Sequence, residues 1–96
     1  MGAARFEWDD DKDAANQAKP HVSFTQAQHA FMDPLRVIAR DLGHSQAEER
    51  FCCFGNAGGG ILTVRFAHRQ GVVRIIGAGY WRRGKSAYEK ENQLHG

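Results

Sequence analysis

Between Arg65 and Lys85 the sequence places six basic residues, Arg65, Arg69, Arg74, Arg82, Arg83 and Lys85, and no acidic one. A guanidinium is planar, permanently charged and forked to match a phosphate, so this stretch is a candidate surface for a phosphodiester backbone. Cleaving RNA without a metal uses the ribose 2′-hydroxyl as nucleophile. The protein must then hold the strand, move protons and place cations where charge grows on the phosphorus oxygens. Arg65, Arg74, Arg82 and Arg83 are the candidates for the last task. Tyr88 or a histidine, His21 or His44, is a candidate proton carrier, and Glu49 is either a base or a partner for Arg50. Lys19, Arg69 and Lys85 are candidates for gripping the strand. Trp81, within Gly79-Tyr80-Trp81-Arg82-Arg83-Gly84, either stacks on an unpaired base or packs against the end of a sheet.

Other chemistries find less support. The formal net charge is only +2, and the stretch from Arg5 to Asp13 carries four Asp and one Glu against Arg5 and Lys12, so the cationic character is local. Cys52 and Cys53 are the only cysteines; being adjacent, they close no loop and form no Cys-x-x-Cys metal pair. On a strand their side chains point to opposite faces, one inward and one outward. The five histidines, His21, His29, His44, His68 and His95, lack ligand spacing, so no metal and no cofactor is expected. Nucleotide-binding and hydrolase signatures are missing, and the glycines at 58 to 60 precede no Lys-Ser or Lys-Thr, which makes them a turn.

The elements that must position these residues follow from periodicity. Phe6-Glu7-Trp8 alternates as a short strand. Asp9 or Asp10 caps a helix running to about Ala18, with Ala14, Ala15 and Ala18 as a close-packing face. Pro20 ends it, and Ser23 with Gln26 forms a capping box for a second helix whose inner face is Phe24, Ala27, Ala30 and Phe31. Asp33-Pro34 stops that helix. Leu35 to Ala39 and Glu48 to Gly55 read as strands, with a polar loop from Arg40 to Gln46 between them. The glycine-rich turn at 55 to 60 then leads to the alternation Leu62, Val64, Phe66. A two-residue turn at Gln70-Gly71 leads into Val72 to Ala78. That hairpin sets Arg65 opposite Ile76 and Arg74 opposite Ala67, with both arginines on the face away from the helices. Lys85 to Leu94 is a C-terminal helix.

The expected fold is therefore α+β, two N-terminal helices packed on a mostly antiparallel sheet of about four strands, with a C-terminal helix. Ninety-six residues make one domain, 1–96, with 1–5 flexible, and the 42% apolar and 25% charged content suits a folded globular chain. No apolar run reaches the roughly 20 residues of a membrane span. With no signal core and no disulfide framework, a cytoplasmic location is expected.

The order of motifs resembles the BrnT toxin family over about residues 6 to 89. The residues carrying the likeness are Phe6-Glu7-Trp8-Asp9, Lys12, Asn16, Lys19, Val22-Ser23-Phe24, Asp33-Pro34, His44-Ser45, Glu48-Glu49-Arg50, Gly55, Val73-Arg74-Ile75-Ile76 and Tyr88. The resemblance implies a RelE-like fold and a ribonuclease toxin that inhibits translation. It also implies RNA as substrate, neutralisation by a BrnA-like antitoxin, and contact with operator DNA only through the antitoxin complex. Two departures stand out. The family's Lys-His-Gly-Val-Ser-Phe is Lys19-Pro20-His21-Val22-Ser23-Phe24 here, and its Ser-Ala-Arg after the last strand is Gly77-Ala78-Gly79. Arg82 or Arg83 replaces the charge of that arginine, or the chain binds RNA or a partner without cutting.

Overall fold

A computed structural model describes residues 5–44 and 48–94. Five strands, β1 (Arg5–Trp8), β2 (Val37–Arg40), β3 (Arg50–Asn56), β4 (Ile61–Arg69) and β5 (Val72–Gly79), form one sheet in the order β1-β5-β4-β3-β2. The helices are α1 (Asp10–Ala18), α2 (Phe24–Ala27) and α3 (Arg82–Glu91). The α+β class stands, with two corrections. There are five strands rather than about four, because β1 joins the free edge of β5 in parallel, Arg5 beside Val72 through Trp8 beside Ile75. Arg5 is accordingly part of the sheet, while the rest of the stretch expected to be flexible lies outside the described residues. The second N-terminal helix is one α-turn that tightens into a 3-10 turn over Gln28–Met32 before Pro34 forbids continuation.

Local chemistry explains each helix. The Asp9 side chain accepts from the Asp11 and Lys12 amides, and Asp10, Asp11 and Asp13 suit the positive end of α1. The alanine face expected for this helix is wrong: Ala14, Ala15 and Ala18 are exposed. Polar side chains dock α1 instead. Asn16 Nδ2 donates to the carbonyls of Val22 at 2.7 Å and Ala78 at 2.9 Å, and Asp13 Oδ1 accepts from the Phe24 amide at 2.8 Å. These side chains satisfy strand-end and loop backbone groups that the sheet leaves unpaired, which a methyl face would bury without partners. Ser23 Oγ caps α2 through the Gln26 amide at 3.0 Å. The Gln26 side chain does not complete the capping box; it donates to Tyr80 Oη at 2.8 Å.

Val22, Phe24, Ala27 and Ala30 pack on Cys53, Leu62, Val64, Phe66, Val73, Ile75 and Ala78 to form the core. Burying a large apolar side chain such as Phe24, Leu62 or Ile75 contributes about 1.5–3 kcal/mol each. Phe31 joins this core edge-to-face with Phe66, ring centres 5.0 Å apart. Gly55 is required where the sheet meets the 3-10 turn, because a Cβ there would stand 2.2 Å from the Ala30 carbonyl oxygen.

The β4–β5 turn is as expected, Gln70 and Gly71 both having positive φ. The expected pairing of Arg74 with Ala67 is observed, whereas that of Arg65 with Ile76 is not. A bulge between Arg65 and Phe66 shifts the register so that Arg65 faces Gly77, the two-against-one count of an irregularity that periodicity does not reveal.

Candidate nucleic-acid interface

On the sheet face opposite the core, α3 covers one end, where Gly84 lies so close to Thr63 that a Cβ would stand 1.9 Å from Thr63 Oγ1. Beyond that cover the strands carry arginines. Ala67 in β4 is flanked along its strand by Arg65 and Arg69, and its cross-strand partners are Arg50 in β3 and Arg74 in β5. Ala67 is only 1% exposed.

The four arginines are not equivalent. Arg74 Nη1 lies 3.0 Å from Glu7 Oε2, a pair that the parallel addition of β1 creates by setting Glu7 beside Arg74. Arg69 donates two hydrogen bonds to Glu48 Oε2, and this holds the Glu48 carboxyl below its ordinary range. The Arg65 side chain has no hydrogen bond or ion pair among the described residues, and its Nε is buried without a partner. Its guanidinium lies over Gly77, where a Cβ would come within 3.1 Å of Nη2. A half-buried cation held by packing and lacking an anion is poised to accept one.

The bases and nucleophiles nearby are subdued. Cys52 is the cross-strand neighbour of Arg65; burial pushes its thiol up, outweighing the opposite pull of Arg65. Cys53 faces the core, where burial pushes it up to about 12. The two thiols do point to opposite faces, as strand geometry dictates. Among the described residues no group of three or more His, Cys, Asp or Glu is placed to hold a metal ion.

A second cationic group begins α3. Arg82, Arg83 and Lys85 occupy its first turns with no acid and no side-chain cap at Trp81. Among the described residues none of the three has an ion-pair partner. Gly79 pairs with Thr63 and Gly77 with Arg65, so the start of α3 borders the Arg65 site, two residues or about 7 Å along the strands. Arg74 lies five residues before Gly79, about 17 Å away. The structure therefore brings Arg65 together with the start of α3 and sets Arg74 and Arg69 toward the other end of the sheet, each with a carboxylate.

The remaining candidates lie elsewhere. Tyr88 is buried and donates to Asp33 Oδ2 at 2.6 Å, a bond that pushes the phenol up to about 12. It clamps α3 to the segment before β2. Glu49 pairs with Arg40 at 3.2 Å. Lys19 and His21 sit in the exposed loop between α1 and α2 on the helix-covered side, where the His21 amide donates to the Asn16 carbonyl. His44 ends the 3-10 turn Leu42–His44, and Ser45 lies outside the described residues. Arg50 and the carboxylates Glu7 and Glu48 were not picked out from the sequence as parts of the surface. For Arg50 a signal existed, since closing the 57–60 turn onto the extended segment pairs it with Ala67.

The sheet face is thus floored by arginines and bordered by the basic start of α3. Comparison with family models is specific: the model described as "Ribonuclease toxin, BrnT, of type II toxin-antitoxin system" matches residues 8–84. The chain belongs to the BrnT family of ribonuclease toxins. Among curated proteins none matches it. Among the described residues no helix is long and apolar enough to cross a membrane.

Proposed function

We propose that this chain is a RelE-like, metal-independent endoribonuclease that cuts RNA, halts translation and is silenced by a BrnA-like antitoxin, whose complex with it contacts operator DNA. The observation carrying this reading is Arg65, a cation fixed over Gly77 with no acidic partner among the described residues. A phosphate seated there meets a charge that needs no reorganisation as negative charge grows on its oxygens. Arg82 and Arg83 supply further positive charge from the start of α3, and Arg69, Arg74 and Lys85 extend the track for the strand. The carboxylate partners of Arg69 and Arg74, Glu48 and Glu7, exchange cheaply for phosphate, because such solvent-screened surface pairs are worth less than about 1 kcal/mol.

The test is incubation of the purified protein with an end-labelled transcript, with and without chelator. Fragments ending in 2′,3′-cyclic phosphate that persist in chelator and vanish in Arg65→Ala support the reading; fragments that require a divalent ion overturn it. One observation favours a second reading, binding without cleavage: Gly79 stands where the family commonly carries an arginine. Retarded but intact transcript would decide for it.

A further inference from the structure

We infer that Trp81, with Tyr80 beside it, is a stacking platform for one unpaired nucleobase, set next to the phosphate site at Arg65. This rests on the ribonucleic acid reading above and names the part of the strand that the α3 end receives. The two rings line an open groove of about 560 Å³ together with Gly59, Gly60, Ile61, the cations Arg82 and Lys85, and the single carboxylate Glu89. Trp81 remains 42% exposed and Tyr80 41%. Large rings left open on a small protein are informative when they are also held still, and both are.

The indole of Trp81 folds back over Gly79, where a Cβ would come within 2.5 Å of Cζ2. The ring thus lies against strand backbone while much of the residue stays open to solvent. Tyr80 leans on the Gly59-Gly60 turn, 3.6 Å from where a Gly60 Cβ would stand, and its hydroxyl accepts from Gln26 Nε2 at 2.8 Å. Rings fixed before binding lose little conformational freedom when a base settles on them. Arg82 and Lys85, without acidic partners among the described residues, supply charge for the phosphates flanking that base.

Spacing links this groove to Arg65. Gly77 and Gly79 are alternate residues of β5 on one face, one under the Arg65 guanidinium and the other under the Trp81 indole. Floors about 7 Å apart along the strand set a cation and an aromatic ring side by side, an order that fits a phosphate and a neighbouring base of one nucleic-acid strand. The groove's charge and mixed lining favour nucleic acid over an apolar protein segment. Because every base has a π-face, the platform accepts any unpaired base and rejects paired ones.

The experiment measures, by fluorescence anisotropy, binding of the full chain and its variants to a short fluorescein-labelled 2′-O-methyl RNA, which cannot be cut, and to the same oligomer made abasic at each position in turn; in the wild type tryptophan quenching is followed as well. Trp8, the other tryptophan, is half-buried against Phe24. The base-carrying oligomer is expected to quench and to bind about tenfold tighter than the best-placed abasic one. Trp81→Phe keeps that ratio and Trp81→Ala brings it to one, with unchanged far-ultraviolet circular dichroism. A ratio of one in the wild type, or a ratio that survives Trp81→Ala, overturns the inference. So does an unchanged ratio in a Trp81→Ala protein that no longer binds its antitoxin, which assigns the groove to a protein contact. The ratio is independent of catalysis. A wild type that shows it yet never cuts the natural oligomer refutes the ribonuclease reading and leaves the platform standing; cutting with a ratio of one does the reverse.

Discussion

The Arg65 guanidinium rests on Gly77, so near that a methyl group at position 77 would stand 3.1 Å from Nη2. The bulge between Arg65 and Phe66 produces this contact by sliding Gly77, rather than Ile76, opposite the arginine. Two residues on, Gly79 makes room for Trp81, whose Cζ2 lies only 2.5 Å from where a Cβ would stand. The Gly77-Ala78-Gly79 segment, which departs from the family's usual Ser-Ala-Arg, is therefore a floor for two side chains rather than a gap in the surface.

Replacing that floor separates activity from stability. Gly77 has no positive φ, so Gly77→Ala is tolerated by the strand and raises stability by roughly 0.5 kcal/mol through lost unfolded-state freedom. The methyl group nudges the guanidinium by a few tenths of an ångström, and RNA cleavage is expected to fall about tenfold. Thermal melting and single-turnover cleavage on one preparation test this. Equal activity with a raised melting temperature would show that Arg65 does not need its place over Gly77.

Arg65→Ala removes the charge itself. Cleavage is expected to drop about 10²–10³-fold, as for the loss of one preorganised charge-stabilising group. Stability changes little, since Arg65 has no ion pair among the described residues to lose. Arg65→Lys keeps a point charge without the fork and lands between the two. Growth arrest on induction, read beside soluble yield, gives the same ranking in cells.

Much of this arrangement was legible in the sequence, and the exceptions have physical causes. The Gln70-Gly71 turn fixed the hairpin up to Phe66–Ile75, and alternation chose the core face of β4. Local patterns carry no information about long-range pairing, so the parallel docking of Arg5–Trp8 on β5 was hidden, and with it the neutralisation of Arg74 by Glu7. The acid-free run from Arg65 to Lys85 read as one surface; the length of β5 divides it in two. Ala14, Ala15 and Ala18 looked like a packing face, yet Asn16 and Asp13 dock α1 because strand-end carbonyls and amides there need partners.

Tyr88→Phe tests the buried phenol as structure rather than chemistry. Burial alone would raise the Asp33 carboxyl, but bonds from Tyr88 and from the Asn56 and Leu35 amides outweigh it and hold its pKa below the ordinary value. A carboxylate depressed in the folded state contributes stability above its unfolded pKa and loses it as pH falls through the folded one. Tyr88→Phe should therefore cost about 1–2 kcal/mol near pH 7, measured by urea unfolding. The gap to wild type should close as pH falls through the depressed pKa of folded Asp33, once that carboxyl is protonated in both proteins. Cleavage per folded molecule stays at the wild-type level; a large loss at constant fold would return Tyr88 to the proton-carrying role.

Glu7→Gln makes the opposite kind of change, one that should improve binding. Glu7 occupies Arg74 at 3.0 Å with both side chains about half exposed, so the pair adds little to stability while cancelling one positive charge of the surface. Released, Arg74 becomes available to a phosphate near the β4–β5 turn. RNA affinity should rise several-fold at low salt, and the slope of log affinity against log salt should steepen by about 0.7, the value for one more phosphate contact on a single strand. Arg74→Ala should lower affinity several-fold and flatten the slope, since it removes a cation from the track and leaves the Glu7 carboxylate uncovered. Cleavage rate at saturating RNA should not change in either variant, because Arg74 lies about 17 Å from the end of β5 where the strand enters the Trp81 groove. If Arg74→Ala instead abolishes cleavage at saturation, the reacting phosphate sits at the turn end of the sheet and not over Arg65.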